Sequence, residues 1–290
     1  MLTRRMVLGG LLGLVVAPES AMAAHRKQAS QHADSHGAKH PGKAPAKQVS
    51  GENAKPRNTR SRLDAVIDIS HQTNVRDFSL ARQKSNIIGV IHKATEGGDW
   101  KDPMYARRRA EAEAAGMLWG AYHFGTRQYS GDDQAELFLK VAKPGPNTLI
   151  ALDFEQNDGN PGNSMRLRQA EDFVKAIHAA TGRFPLIYTN QAWADGKPVG
   201  DAARSLGATV TERSVLALCP LWLADYRSEP QVPKAWKGRG WHFWQYAGDT
   251  DNGGPRGHRV RGVWGIETCD RNIFRGDASD LQRFWKAGTV

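Results

Sequence analysis

The feature that most restricts the fold of this chain is a regular alternation of apolar strand patterns and helical patterns. Five strand patterns lie at residues 65–70, 87–95, 117–125, 149–153 and 185–189, and helical patterns separate them. Three further strand patterns follow at 220–226, 240–246 and 268–274 without long helices between them, and a last helical pattern covers 278–286. Alternation of this kind is typical of a parallel sheet with crossover helices. The sequence therefore predicts an α/β fold.

The fourth strand pattern ends in two acidic residues. It is the stretch LIALDFE, residues 149–155, and it follows the breakers Pro144, Gly145 and Pro146. Because side chains alternate along a strand, Asp153 and Glu155 are predicted to leave on the same side. Two neighbouring acids at the end of an apolar strand raise each other's pKa and cost stability. An isolated pair of this kind more often marks a strand that enters a solvated loop, so the rest of the chain must decide its meaning.

Polar and aromatic residues recur where the other strand patterns end. They are Asp68, Lys93, Tyr122, Asp153, Glu155, Tyr188, Trp222, Tyr226, Gln245 and Asp270. Taken alone, a lysine here is more often a surface ion-pair partner, and a tyrosine or tryptophan more often packs in the core. The carboxyl ends of parallel strands meet at one face of such a fold, so the recurrence predicts a single cleft. Aromatic rings beside carboxylates suit a sugar polymer, whose rings have apolar faces and hydroxyl rims.

Glycoside hydrolysis needs a proton donor and a second carboxylate, and this cleft offers both. Glu155 lies among acidic neighbours and aromatic walls, which are expected to raise its pKa and keep it protonated near neutral pH. Asp153 lies closer to the strand interior, where pairing with Lys93 is expected to keep it ionised.

Residues 64–274 resemble family 25 of the glycoside hydrolases, the Chalaropsis-type lysozymes. Eight short segments in order carry the resemblance: VIDIS at 66–70, KATEG at 93–97, YHF at 122–124, DFE at 153–155, IYT at 187–189, WLADY at 222–226, WQY at 244–246 and DRNIF at 270–274. The resemblance implies an incomplete TIM-like barrel, (β/α)5β3. It also implies cleavage of the β-1,4 bond between N-acetylmuramic acid and N-acetylglucosamine in peptidoglycan.

The same resemblance implies roles for the residues of the cleft. Glu155 matches the general acid of the family and Asp153 its partner carboxylate, which either orients the acetamido group of the substrate or acts more directly. Asp68 and Asp270 match two further acids of the catalytic site. Positions that bind the sugar chain are matched by Lys93, Tyr122, Tyr188, Trp222 and Tyr226, and Gln245 is placed with them as a substrate-binding residue.

The N-terminal part differs in character from the rest. Arg4 and Arg5 precede an apolar run, and the small residues Ala21, Met22 and Ala23 follow, so residues 1–24 are predicted to be an export signal that also resembles the twin-arginine type. Residues 25–61 are rich in Lys, His, Ser, Gly and Pro, which predicts a disordered basic linker ahead of a catalytic domain at 62–290. Localisation is predicted as exported, either periplasmic or secreted.

Charge and composition limit the partners. Residues 1–61 hold ten Lys and Arg against three Asp and Glu, so most of the net charge of +10 lies in this tail. The tail is suited to anionic envelope polymers, whereas no nucleic acid is expected for an exported protein. After signal removal no membrane span is expected, and the protein is expected to be a monomer.

Two other classes of function stay open. A non-catalytic envelope protein on the same scaffold would keep the aromatic groove and is expected to lose one of the acids. An amidase or deacetylase needs a metal, but His71, His92, His123 and His242 lack a ligand spacing, so no metal and no cofactor are predicted. Strand alternation turns His92 and His123 away from the cleft.

The two cysteines, Cys219 and Cys269, permit a disulfide. Each precedes a predicted strand, and another strand is predicted between these two, which disfavours the bridge.

Overall fold

A computed structural model describes residues 61–196, 209–248 and 260–287 of the chain. The predicted export signal and nearly all of the predicted basic linker lie outside the described residues. The Gly- and Asp-rich residues 248–265 are predicted to be a surface loop, of which the structure describes only the two ends.

The strands form one sheet that closes into a barrel. They are β1 (Arg62–Ile69), β2 (Gly89–Glu96), β3 (Trp100–Lys101), β4 (Leu118–Phe124), β5 (Thr148–Asp153), β6 (Leu186–Asn190), β7 (Leu221–Ala224), β8 (Phe243–Ala247) and β9 (Asp270–Arg275). The order is β1-β9-β8-β7-β6-β5-β4-β2-β3, and β1 also pairs with β2, which closes the ring. Neighbours pair in parallel except at β9, which is antiparallel to β8 and β1, and at β3, which pairs only with β2.

A helix follows each of the first five parallel strands of the barrel, and a last helix follows β9. They are α1 (Phe78–Lys84), α2 (Tyr105–Ala114), α3 (Gly131–Ala142), α4 (Leu167–Thr181), α5 (Gln191–Ala194) and α6 (Ala278–Ala287). The strands β7, β8 and β9 come last without α-helices between them in the described residues. The predicted incomplete TIM-like barrel, (β/α)5β3, is therefore confirmed.

Helix α6 blocks the end of the barrel at which the parallel strands begin. The Trp285 side chain is fully buried, and its Nε1 donates to the carbonyl of Trp119 at 2.8 Å. A Cβ added to Gly89 would lie 2.8 Å from the Trp285 ring, so the absence of a side chain at this strand position makes room for the indole. Because this end is filled, the opposite end is the open mouth.

Alternate strand residues face the helices and form the outer core. His92 stacks on Trp119 and His123 stacks on Phe173, so both point away from the barrel interior as predicted. Burial lowers the pKa of each imidazole to about 4, which leaves both rings neutral.

Three local details differ from the sequence-based expectation. The pattern predicts a helix over residues 164–181 with Ser164 as its cap, but α4 begins at Leu167, because residues 161–163 form a 3-10 turn and the Ser164 hydroxyl accepts the backbone N–H of Asn157 at 3.0 Å. Strand β3 was not predicted, since two residues carry no periodicity. A short helix is predicted over residues 74–84, but α1 starts only at Phe78, where Asp77 accepts the N–H groups of Ser79 and Leu80.

The cysteines do not form a disulfide. Cys219 and Cys269 are both buried and are not bridged, and they precede β7 and β9, between which β8 lies in the sheet. Across the described parts of the chain, no helix is both long and apolar enough to span a bilayer.

Candidate active site

The open mouth of the barrel gathers the polar residues predicted at the strand ends. Asp68 lies near the end of β1, and Lys93 lies in the second half of β2. Asp153 is the last residue of β5, and Asp270 is the first residue of the antiparallel β9 at the same rim. Each is buried, with less than a tenth of its surface exposed. A group of acids held this far from water carries an electrostatic cost that a purely structural barrel would not need.

Gln245 connects two acids to two tyrosines. Its Nε2 donates to both carboxylate oxygens of Asp68, at 3.1 and 3.2 Å, and to Asp270 at 3.2 Å. Its Oε1 accepts the hydroxyls of Tyr188 and Tyr226, each at 2.9 Å. The amide thus sets the direction of four neighbouring polar groups.

Gln245 and Trp222 were expected to bind substrate, and burial corrects that expectation. Each is only 1% exposed, so both lie beneath the floor of the cleft. Trp222 Nε1 donates at 2.6 Å to the side chain of Asn272, whose Nδ2 donates to Asp68 at 2.7 Å. We therefore assign both residues to the layer that supports Asp68.

The sequence reasoning missed Asn272. It lies in the quoted segment DRNIF, two positions after Asp270 on β9, so alternation places both side chains on the inner face. That spacing was the available signal. The partner that gives the residue its importance, Asp68, is 204 positions away and could not be read from the pattern.

Asp153 is held in an environment that disfavours its charge. Burial is the main cause that raises its pKa well above the ordinary value; Lys93 opposes the rise, and Asp68 adds to it. Its Oδ1 is buried with no hydrogen-bond partner in the described residues. A buried carboxyl oxygen without a partner costs stability, and groups of this kind are found at catalytic sites.

Glu155 lies two residues beyond Asp153 and is only partly buried. Its pKa is also raised well above the ordinary value, first by desolvation and then by the charges of Asp153 and Asp158. Between the two acids, Phe154 is buried in the outer core against Trp193, at 5.8 Å between ring centroids. The alternation predicted from the DFE segment thus places Phe154 on the outer side, and the charge of Asp153 acts on Glu155.

The expected partner of Lys93 differs from the observed one. Its Nζ donates to Glu96 at 2.6 Å and lies 4.9 Å from the ring centroids of Trp100 and Phe124. The lysine still lowers the pKa of both Asp153 and Glu155, but burial outweighs it. The prediction that Lys93 pairs with Asp153 and keeps it ionised is therefore wrong, because the ammonium group pairs with Glu96 instead.

Three tyrosines line the interior beside the acids. Burial, together with neighbouring carboxylates, raises the pKa of Tyr122, Tyr188 and Tyr226 well above the ordinary value, so all three remain neutral hydrogen-bond donors. Tyr226 is the most exposed of them, and Tyr122 packs edge-on against Trp222.

No group of three His, Cys, Asp or Glu side chains able to hold a metal ion occurs within 61–196, 209–248 and 260–287.

Comparisons with known proteins agree with this geometry. Residues 67–254 match the family model of Glycosyl hydrolases family 25. Lysozyme M1 of Streptomyces globisporus is 30% identical over 229 residues, which span 74% of this chain and 69% of that protein. The N,O-diacetylmuramidase of Arthroderma benhamiae is 30% identical over 244 residues, which span 80% of this chain and 90% of that protein.

Solved structures show the same barrel. The bacterial lysozyme from Streptomyces coelicolor superposes with a TM-score of 0.62 at 27% identity, covering 80% of this chain and all of that one. A family GH25 lysozyme from Aspergillus fumigatus gives a TM-score of 0.58 at 29% identity, with 79% of this chain and all of that chain covered. An acid-lined barrel mouth and these relatives define a glycoside hydrolase that acts on peptidoglycan. The chain belongs to glycosyl hydrolase family 25.

Proposed function

We propose that this protein is a muramidase that cleaves the β-1,4 bond between N-acetylmuramic acid and N-acetylglucosamine in peptidoglycan. The observation that carries the proposal is the pair Asp153 and Glu155 at the barrel mouth, where each raises the pKa of its neighbours and Asp153 keeps an unpartnered oxygen. The names of the relatives, lysozyme and N,O-diacetylmuramidase, support the same reaction.

Glu155 is the general acid in this proposal. A raised pKa keeps the proton on the carboxyl group near neutral pH, and partial exposure lets the group reach a glycosidic oxygen. As the bond to the leaving sugar breaks, the proton passes to the oxygen of that sugar. General acid catalysis of this kind supplies roughly 10²–10⁴-fold in rate.

Asp153 is the partner carboxylate. In this proposal the side chain, whose buried Oδ1 has no hydrogen-bond partner in the described residues, orients the acetamido group of the substrate or stabilises the positive charge that develops on the sugar. Asp68 and Asp270 are held by Gln245 and increase the negative potential of the mouth, which favours an oxocarbenium-like transition state. Lys93, Tyr122, Tyr188 and Tyr226 are placed around these acids, where Tyr226 has the exposure to contact the sugar.

The remaining expectations complete the proposal. Residues 1–24 direct export, residues 25–61 connect the signal to the catalytic domain at 62–290, and the basic tail binds anionic envelope polymers. The protein acts as a monomer outside the cytoplasm. These assignments are supported by the composition of the tail and by the position of peptidoglycan in the cell envelope.

Product analysis tests the reaction. Purified peptidoglycan is digested with the protein, and the soluble fragments are reduced and identified by mass spectrometry. New reducing ends on N-acetylmuramic acid are expected. Reducing ends on N-acetylglucosamine would mean that the other glycosidic bond is cut. Freed peptides with intact glycan would mean an amidase, and binding without any product would mean a non-catalytic glycan-binding protein.

A further inference from the structure

A histidine outside the acid group lies at the same mouth of the barrel. His71 follows the end of β1, two residues after Ile69, and about a third of its side chain is exposed. Its ring packs against Trp100, with 5.2 Å between centroids, and the Lys93 ammonium lies 4.9 Å from the centroid of the same indole. Lys93, Trp100 and His71 therefore form a row of neighbouring side chains at the mouth.

The imidazole has a fixed orientation. Its Nδ1 lies 3.2 Å from Oδ2 of Asp102, and the backbone N–H of His71 donates to the same oxygen at 2.8 Å. The Asp102 side chain is fully buried, and a carboxylate only accepts hydrogen bonds, so Nδ1 carries the proton. In the neutral ring Nε2 is then an acceptor, and it has no hydrogen-bond partner among the described residues.

The loop that carries the histidine is held from below. Buried Arg108 donates through Nη1 to the carbonyl of Ser70 at 2.6 Å and through Nη2 to the carbonyl of Thr73. Asp102 also accepts the backbone N–H of Met104 at 2.8 Å, just ahead of α2. A polar atom presented on a rigid loop loses little entropy when it binds a ligand.

We propose that His71 is a substrate-binding residue whose Nε2 accepts a hydrogen bond from a sugar hydroxyl or an acetamide N–H of a glycan strand. The contact lies on the Lys93 side of the cleft, away from the acid that donates the proton. This inference rests on the proposed function, because it takes peptidoglycan as the ligand. Asp102 is the positioning residue that fixes the ring, and Trp100 supports it.

Three substitutions of His71 separate substrate binding from support of Asp102. In His71→Asn the side-chain amide can replace Nδ1 and keep the bond to Asp102, but nothing replaces Nε2. In His71→Gln the longer side chain can place an amide oxygen near the position of Nε2. In His71→Ala both side-chain contacts are lost, while Asp102 keeps two backbone donors, so the loop is expected to stay folded. His178→Ala is the control, because His178 is an exposed histidine stacked on Phe184 in the C-terminal part of α4.

Steady-state kinetics on soluble glycan strands give the decisive comparison. His71→Ala and His71→Asn are expected to raise KM roughly three- to tenfold with kcat within about twofold, as for one lost hydrogen bond that is equal in ground and transition states. His71→Gln is expected to recover at least half of the loss, and His178→Ala to match the wild type. An unchanged KM in His71→Ala would overturn the proposal. So would recovery by Asn and not by Gln, since that pattern means support of Asp102 alone.

Sedimentation with insoluble peptidoglycan keeps this inference separate from the proposed reaction. If the wild type releases no reducing ends, the muramidase proposal fails, but the bound fractions of the same variants can still be compared. Weaker binding by His71→Ala than by His178→Ala supports the histidine contact. Equal binding by both variants rejects it. Melting temperatures within about 2 °C of the wild type would show that the folds are intact.

Discussion

Gln245 and Asp68, which are 177 positions apart, are joined by two hydrogen bonds: Nε2 of the amide lies 3.1 and 3.2 Å from the two carboxylate oxygens. Burial raises the pKa of Asp68 to about 6, and the bonds from Asn272 and Gln245 oppose that rise. These hydrogen bonds link β1 to β8 across β9, which is the neighbour of both strands in the sheet.

Replacing Gln245 by Leu is expected to lower the free energy of unfolding by about 2–4 kcal/mol. The substitution removes the partner of two tyrosine hydroxyls and two acids in a buried place, and each buried group left unpaired costs about 1–3 kcal/mol. Urea denaturation at neutral pH measures the change. Gln83→Leu, at an exposed position of α1, is the control and should stay within about 0.5 kcal/mol. Equal stability of both variants would mean that the Gln245 network adds nothing.

Replacing Gly89 by Ala tests the packing of α6 against the closed end. The new Cβ would lie 2.8 and 2.9 Å from two atoms of the Trp285 ring, so the indole must move. We expect a loss of about 1–3 kcal/mol in the free energy of unfolding. Gly145→Ala, where a Cβ meets nothing within 4 Å, serves as the matched variant and should be neutral. A neutral Gly89→Ala would show that Trp285 is not packed at this strand position.

Periodicity was sufficient for the alternating strands and helices and for the faces of His92 and His123, since both depend on local alternation, whereas closure of the sheet into a barrel was implied only by the family resemblance. It also located the acid pair, because DFE ends an apolar strand. It failed for Asn272, because this partner of Asp68 is 204 positions away. It also failed for Lys93, whose partner Glu96 lies close in the sequence but competes with Asp153 for the ammonium. It also placed Trp222 in the groove, because a sequence does not say how deep a ring lies.

Asp153→Asn is expected to stabilise the fold at neutral pH. The folded-state pKa of Asp153 is raised, so the unfolded state releases its proton first, and the wild type loses stability as pH rises above the ordinary pKa of 3.8. Asparagine carries no such penalty, and we expect a gain of about 1–3 kcal/mol at pH 7 that disappears below about pH 3.8. Urea denaturation at the two pH values, with Asp132→Asn on the surface as control, measures it. A loss of stability at pH 7 would contradict the raised pKa.

Lys93→Met should move the alkaline limb of the pH–activity profile. Lys93 lowers the pKa of Asp153 and Glu155, so removing its charge raises both values further. The acid then keeps its proton to higher pH, and the limb of kcat/KM is expected to shift upward by less than about one pH unit. Lys101→Met, an exposed lysine of β3, should leave the profile in place. A downward shift would mean that another group governs the limb.

The most direct measurement compares turnover and glycan binding in Glu155→Gln with the wild type and with Glu111→Gln, an exposed glutamate of α2. Glutamine keeps the shape of the side chain but cannot supply an acidic proton. We expect release of reducing ends to fall at least about 100-fold, while binding to peptidoglycan stays within about threefold and Glu111→Gln is unchanged. Release of reducing ends at the wild-type rate by Glu155→Gln would contradict the assignment of the proton donor.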